Sequence, residues 1–171
     1  MPADDDVQPT RATIAAFDVD GTLTARDSVM PFLRTLRGLP RVAASFLRQP
    51  IHTAGSLVRR DRDALKAIAI SSLRGLARDD VWERGEQFAN DVLPRWLRPD
   101  TLGRLQWHRD QGHRVVFVSA SLRPYLDPLA ASLGVESVLC CELTVADGRL
   151  TGAIDGANCR GAEKQLSLIH I

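Results

Sequence analysis

The chain reads as an α/β protein: a parallel sheet dressed with helices, carrying a helical domain inserted after the first strand. Three observations predict this. Apolar runs of strand length stand at residues 14–17 and 115–118, the first ending in acidic and the second in small polar residues; about 70 residues between them follow helical spacing; and a strong Asp-Gly hairpin signal comes after a third apolar run.

Taken in order, residues 1–11, with Asp4-Asp5-Asp6 and two prolines, are expected to be a disordered, solvated leader. Residues 12–19 form the first strand. From Asp27 to Leu97 the pattern turns helical, with Val29, Phe32, Leu33 and Leu36 on one face before Gly38-Leu39-Pro40 breaks the run. Val42, Phe46 and Leu47 resume it, and further helices are expected at 50–59, 62–76 and 80–97. Pro99-Asp100 opens the next helix, which Gly112 stops. The continuous β-branched run to Val118 fits a strand buried on both faces. A helix at 122–133, a short strand at 137–141, a hairpin around Asp147-Gly148 and a last helix from Ala162 complete the order. The expected organisation is a core at 12–26 and 98–171 with a helical cap at 27–97.

Composition narrows the class. The chain has 171 residues, 44% hydrophobic and 25% charged, enough for one cored domain with an insertion. A net charge of +1 provides no global field to recruit nucleic acid, which excludes it as the expected partner. Three cysteines without a Cys-x-x-Cys pair argue against zinc or a disulfide framework and for a reducing compartment, so the expected location is cytoplasmic. No apolar stretch reaches the length of a membrane span. Only Lys66 and Lys164 among the basic residues are lysines, which makes the place of each more telling.

The chemistry gathers at Phe17-Asp18-Val19-Asp20-Gly21-Thr22-Leu23-Thr24. Two carboxylates leave the first strand where a Gly-Thr turn begins, at the strand end where parallel sheets hold ligands. Strand alternation lets Asp18 and Asp20 point the same way, and two anions so close invite a hard divalent cation or an extra proton. Ser119 closes the second apolar run. Its hydroxyl and the following Ala120 backbone N–H suit a phosphate oxygen, although a serine there serves equally as a turn or cap residue. Lys164 opens the last helix, where a lone lysine is otherwise a solvated residue.

In this order and setting, Asp18-x-Asp20-Gly21-Thr22, Ser119 and Lys164 resemble the first three motifs of the haloacid dehalogenase superfamily. The insertion after the first strand and the hairpin Asp147-Gly148-Arg149-Leu150-Thr151-Gly152 look like its phosphoserine-phosphatase-like branch, subfamily IB. The resemblance implies a Rossmann-like three-layer core. It also implies a Mg²⁺-dependent phosphatase in which Asp18 is the nucleophile forming an aspartyl-phosphate, and Asp20 the general acid and then base. Mg²⁺ is expected on the Asp18 carboxylate and the Asp20 backbone carbonyl, with phosphate on Ser119, Ala120 and Lys164. Thr22 is expected to orient the loop or Asp20, and Thr22, Asp27, Ser121 and Arg123 are candidate substrate contacts.

The likeness is incomplete. A fourth motif with further metal-binding acids should follow Lys164, and residues 166–171 read as translated adapter sequence. The expectation is a C-terminally truncated fragment of weak or no activity, its sheet incomplete and its first strand an exposed edge. In that branch a cap arginine reads the substrate carboxylate, and the inward face of the 62–76 helix, taken as Ile68 and Ala69, offers none. Phosphoserine is therefore one candidate among small metabolite and lipid phosphates. Six arginines and no acid between Ser28 and Arg60, interleaved with apolar residues, suggest contact with an anionic membrane or simply solvated cap helices. The competing readings are a dehalogenase, which has no use for Asp20, and a non-catalytic fragment or pseudoenzyme that binds phosphate or a membrane surface. The tryptophans at 82, 96 and 107 are expected in core or cap packing.

Overall fold

A computed structural model describes residues 13–155. The leader, the expected last helix and Lys164 lie outside the described residues. Four strands make one sheet in the order β1 (Ile14–Phe17), β2 (Arg114–Leu122), β3 (Ser137–Ala146) and β4 (Arg149–Asp155). The first three run parallel and β4 returns antiparallel to β3. Val115, Val116, Phe117 and Val118 of β2 are all buried, as their unbroken apolar run requires of a central parallel strand. Asp147 and Gly148 both take positive φ, 49° and 71°, the turn that matches the twist of a two-residue hairpin.

Among the described residues six helices lie around the sheet: α1 (Val29–Leu47), α2 (Pro50–Arg59), α3 (Arg62–Ile70), α4 (Arg78–Asp91), α5 (Pro99–Asp110) and α6 (Arg123–Ser132). α1 is two helical segments joined at Gly38, whose φ of 71° and ψ of 156° leave the helix where the Gly-Leu-Pro punctuation predicts. α4 packs on α6 without room between them: a Cβ on Gly85 would stand 2.3 Å from the Pro124 carbonyl oxygen. Two chain crossings tie the inserted helices to the sheet. Thr24 bridges Leu97, the Ala25 N–H donates to Trp96 O at 2.8 Å, and the Arg98 N–H donates to Leu23 O at 2.9 Å.

Several expectations need correction. The 62–76 helix stops at Ile70, followed by one 3-10 turn at Ser71–Leu73, because the chain must then pair with the hairpin: the Gly75 N–H donates to Leu150 O at 2.8 Å. The 80–97 helix likewise stops at Asp91, since Pro94 follows in a 3-10 turn. The third strand and the first strand of the hairpin are one, β3. β2 runs past Ser119 to Leu122, its register with β3 shifting between Val118 and Leu122 where the Ser121 N–H turns to Ser119 Oγ at 3.1 Å. Trp107 is 43% exposed, with the Arg104 guanidinium 4.0 Å from its ring centre, rather than in the core.

Candidate active site

A cavity of about 460 Å³ opens at the carboxyl ends of β1 and β2. Asp18, Asp20, Asp27, Ser119, Ala120 and Ser121 line it from the sheet side, so the first two motifs meet across β1 and β2. The parallel pairing of Phe17 with Phe117 brings them level. The loop after β1 is drawn tight on one carbonyl: the N–H groups of Thr22 and Thr24 both donate to Val19 O, at 3.2 and 2.9 Å. Gly21, at φ 78°, supplies the left-handed residue this loop requires. Thr24, fully buried, adds hydroxyl bonds to Val19 O at 3.1 Å and Arg26 O at 2.8 Å.

The two acids are placed unequally. Asp18 lines the cavity, and its Oδ1 accepts the Val19 N–H at 3.0 Å. Asp20 sits deeper, its Oδ1 accepting the Ser28 N–H at 3.0 Å and its Oδ2 the Ser121 hydroxyl. Burial holds Asp20 above the ordinary carboxylate range, hydrogen bonds from Ser121 and Ser28 pull it back, and the Asp27 charge pushes it up again. Asp20 thereby holds its proton more readily than an ordinary carboxyl group does.

Behind Asp20 lies a hydroxyl network that sequence reading did not find. Ser28 Oγ donates to Tyr125 Oη at 2.8 Å and lies 3.4 Å from Ser121 Oγ, and the Leu122 N–H donates to the same tyrosine oxygen at 3.2 Å. Ser28, Ser121 and Tyr125 are all buried. Phe32 and Phe88 clamp the Tyr125 ring at centroid distances of 4.9 and 5.5 Å. Tyr125 is the only tyrosine in the chain, a signal that would have singled it out.

The remaining sequence candidates divide. Asp27 lines the cavity, and its Oδ1 accepts the Val29 N–H at 3.1 Å where α1 begins. Thr22 is exposed and outside the lining, its carbonyl accepting the Thr101 hydroxyl at 3.0 Å. Arg123 is also outside the lining, held by Glu142, by Asp127 at 2.9 Å and by Val138 O at 3.2 Å. Ala120 presents its carbonyl to Lys66 Nζ and to the Cys141 thiol, 3.2 Å away.

That lysine is the second omission. Arg62, Leu65 and Lys66, at helical spacing on α3, line the cavity from the cap, whereas Ile68 and Ala69 are buried beneath the helix. The inward face was read one step round the helix. Lys66 being one of two lysines was the available clue. Phe46 from the end of α1 and Met30 from its start complete the apolar wall, because the break at Gly38 lets both ends of α1 reach the cavity.

As a metal site, the sheet side offers the hard oxygen donors that Mg²⁺ takes, on Asp18 and Asp20. Among the described residues no group of three or more His, Cys, Asp or Glu side chains is assembled for a metal.

A family model for haloacid dehalogenase-like hydrolases matches residues 15–169. The chain is 35% identical over 160 residues to Protein CicA of Caulobacter vibrioides, covering 92% of this chain and 72% of that protein. It is 24% identical over 151 residues to a probable phosphatase of Mycobacterium tuberculosis, covering 85% of this chain and 53% of the relative. Among solved structures, a Bordetella pertussis protein of unknown function superposes with a TM-score of 0.70 at 24% identity, over 92% of this chain and 73% of that one. A substrate-bound phosphoserine phosphatase gives 0.60 at 18%, over 94% and 70%. At these identities the two structures establish a shared α/β fold.

Proposed function

The chain belongs to the haloacid dehalogenase-like hydrolase family, and from that premise we propose that it hydrolyses a small phosphomonoester through an aspartyl-phosphate on Asp18. The observation that carries this reading is the unequal pair: an Asp18 carboxylate on the cavity wall beside an Asp20 biased towards its protonated form. Asp18 attacks phosphorus; the alcohol oxygen departs with the proton of Asp20; Asp20, now ionised, takes a proton from the water that cleaves the acyl phosphate. Ser28 and Ser121 hold Asp20 in place for both proton transfers. Ser119 and the Ala120 N–H hold phosphate oxygens, and Lys164, outside the described residues, adds its charge to the same group.

Mg²⁺, carried by Asp18 and the Asp20 backbone carbonyl, would neutralise phosphate charge and help align the in-line displacement. For the leaving group, the cavity combines Asp27 with Arg62, Lys66 and the apolar side chains of Met30, Phe46 and Leu65. That mixture supports a leaving group with both charged and apolar parts, a description that phosphoserine meets only in part. Three cysteines without a Cys-x-x-Cys pair support a reducing compartment, and the cytoplasm is the location proposed.

The direct test is trapping. Brief incubation with a ³²P-labelled phosphomonoester and Mg²⁺, quenched in acid, should leave a hydroxylamine-labile label on the wild-type chain and none on Asp18→Asn. Substrate binding without label or turnover would instead support a non-catalytic phosphate binder.

A further inference from the structure

A second cavity, of about 440 Å³, lies between α1 and the 3-10 turn Ser71–Leu73 and shares no residue with the site above. Arg37, Arg41, Arg48 and Arg74 all line it, together with Ser72 and Gln49, and no acidic side chain does. Arg37 is committed to architecture, its Nε donating to Ser72 O at 2.8 Å and its Nη2 to Arg74 O at 2.6 Å. Ser72 Oγ is buried and finds no hydrogen-bond partner among the described residues. Like charges gathered round one hollow repel, and a buried hydroxyl left unbonded costs about 1–3 kcal/mol. A phosphate group relieves both, since guanidinium forks and hydroxyls match its oxygens.

Next to this cavity α2 is inside out. It turns Ser56 to the interior and half-buries Thr53, while Ile51, Leu57 and Val58 are 84%, 59% and 85% exposed. A helix that only covered a core would do the reverse. Ile51, Ala54 and Val58 share one face of α2 at intervals of three and four residues, and Leu47, 80% exposed, stands at the end of α1 beside the corner. Arg48 and Gln49, on the wall of the arginine cavity, stand in that corner between Leu47 and Ile51. Arg59 and Arg60 close the helix, and no acidic residue occurs between Asp27 and Asp61.

We propose that this face of the cap docks on a bilayer rich in anionic phospholipid, one headgroup phosphate entering the arginine cavity while Leu47, Ile51 and Val58 enter the interfacial region. Outward aliphatic residues beside arginines, with no acid on α1 or α2 themselves, are what a peripheral membrane face requires. A second copy of the chain is a poorer occupant, because a two-fold contact would set arginine-rich surfaces against each other. The docking does not depend on the phosphatase reading and is measured without turnover.

The test is flotation of the full chain with phosphatidylcholine vesicles, with and without phosphatidylglycerol. Binding is expected only to the anionic vesicles and should weaken in high salt. Arg41→Glu with Arg48→Glu, and separately Ile51→Asp with Val58→Asp, should each weaken it at least about tenfold, with circular dichroism and melting unchanged. Arg41→Ala with Arg48→Ala repeats the first test should the reversed charges unfold the cap. Equal binding to both vesicles, none to either, or indifference to these changes overturns the proposal. So does an arginine-dependent rise in melting temperature with soluble glycerol phosphate but no flotation, which would assign the cavity to a free anion. Concentration-dependent dimerisation abolished by the aspartates, again without flotation, would assign the face to a second copy.

Discussion

The sheet side and the cap side of the active-site cavity carry their functional groups in different ways. On the sheet side each polar group is fixed by hydrogen bonds within a few residues or across adjacent strands: Asp20 by Ser28 and Ser121, Ser119 by the Ser121 N–H, the turn by Thr24. On the cap side Arg62, Leu65 and Phe46 enter from helix surfaces, and Lys66 alone reaches across to a core carbonyl. The sheet-side groups are held by bonds of their own, whereas the cap-side groups ride on helices tied to the sheet at the Thr24–Leu97 crossing and where residues 75–78 pair with the hairpin. Changes on the sheet side should therefore strike turnover, and those on the cap side should strike substrate affinity.

The sharpest break in that contrast is Asp18→Asn, expected to lower kcat by about 10⁴-fold or more, measured as phosphate release. Asp20→Asn should cost about 10²–10⁴-fold in kcat yet stabilise the fold at neutral pH. Because burial raises Asp20 above its unfolded value, the folded state binds the extra proton more readily. Its contribution to stability is full below the ordinary carboxylate range and is lost as pH rises through the folded-state value. Removing the ionisable group should abolish that part of the decline, with a gain on the order of 1 kcal/mol in denaturant melts. A variant less stable than wild type at neutral pH would contradict this account of Asp20.

Smaller effects separate scaffold from site. Gly85→Ala should destabilise by about 3 kcal/mol, since both atoms forced together at the α4–α6 contact belong to backbones or β-carbons. Tyr125→Phe should cost about 1–2 kcal/mol by leaving the Leu122 N–H and Ser28 without their oxygen. It should also lower kcat several-fold by loosening Ser28 behind Asp20, and urea melts beside kinetics would separate the two effects. Lys66→Met should leave kcat within about threefold and raise KM by about tenfold; a fall in kcat with KM unchanged would place this lysine among the groups that act on the reacting phosphate.

Legibility followed the same division. The Asp18-to-Thr24 turn, the central strand and the Asp147-Gly148 hairpin were readable because strand alternation, apolar runs and turn residues act over a few neighbours. The merged β3 and the early stop of α3 were not, because each is set by pairing with a partner distant in sequence. The cavity-facing position of Lys66 was not legible for a like reason. Helical spacing shows that a helix has an inward face, but the rotation of α3 depends on what it packs against.

By itself, then, the order of residues determined that two acids leave a buried strand at a glycine turn, that a serine ends the neighbouring apolar run, and that a helical insertion separates them. Only the tertiary structure decided that Asp20 is held above the ordinary carboxylate range, that Ser28, Ser121 and Tyr125 stand behind it, and that α3 turns Arg62 and Lys66 to the cavity while α2 turns its aliphatic face outward. The reason is physical: strand direction and turn shape are local properties of the backbone. Burial, desolvation and helix rotation exist only once segments far apart in the chain have packed together.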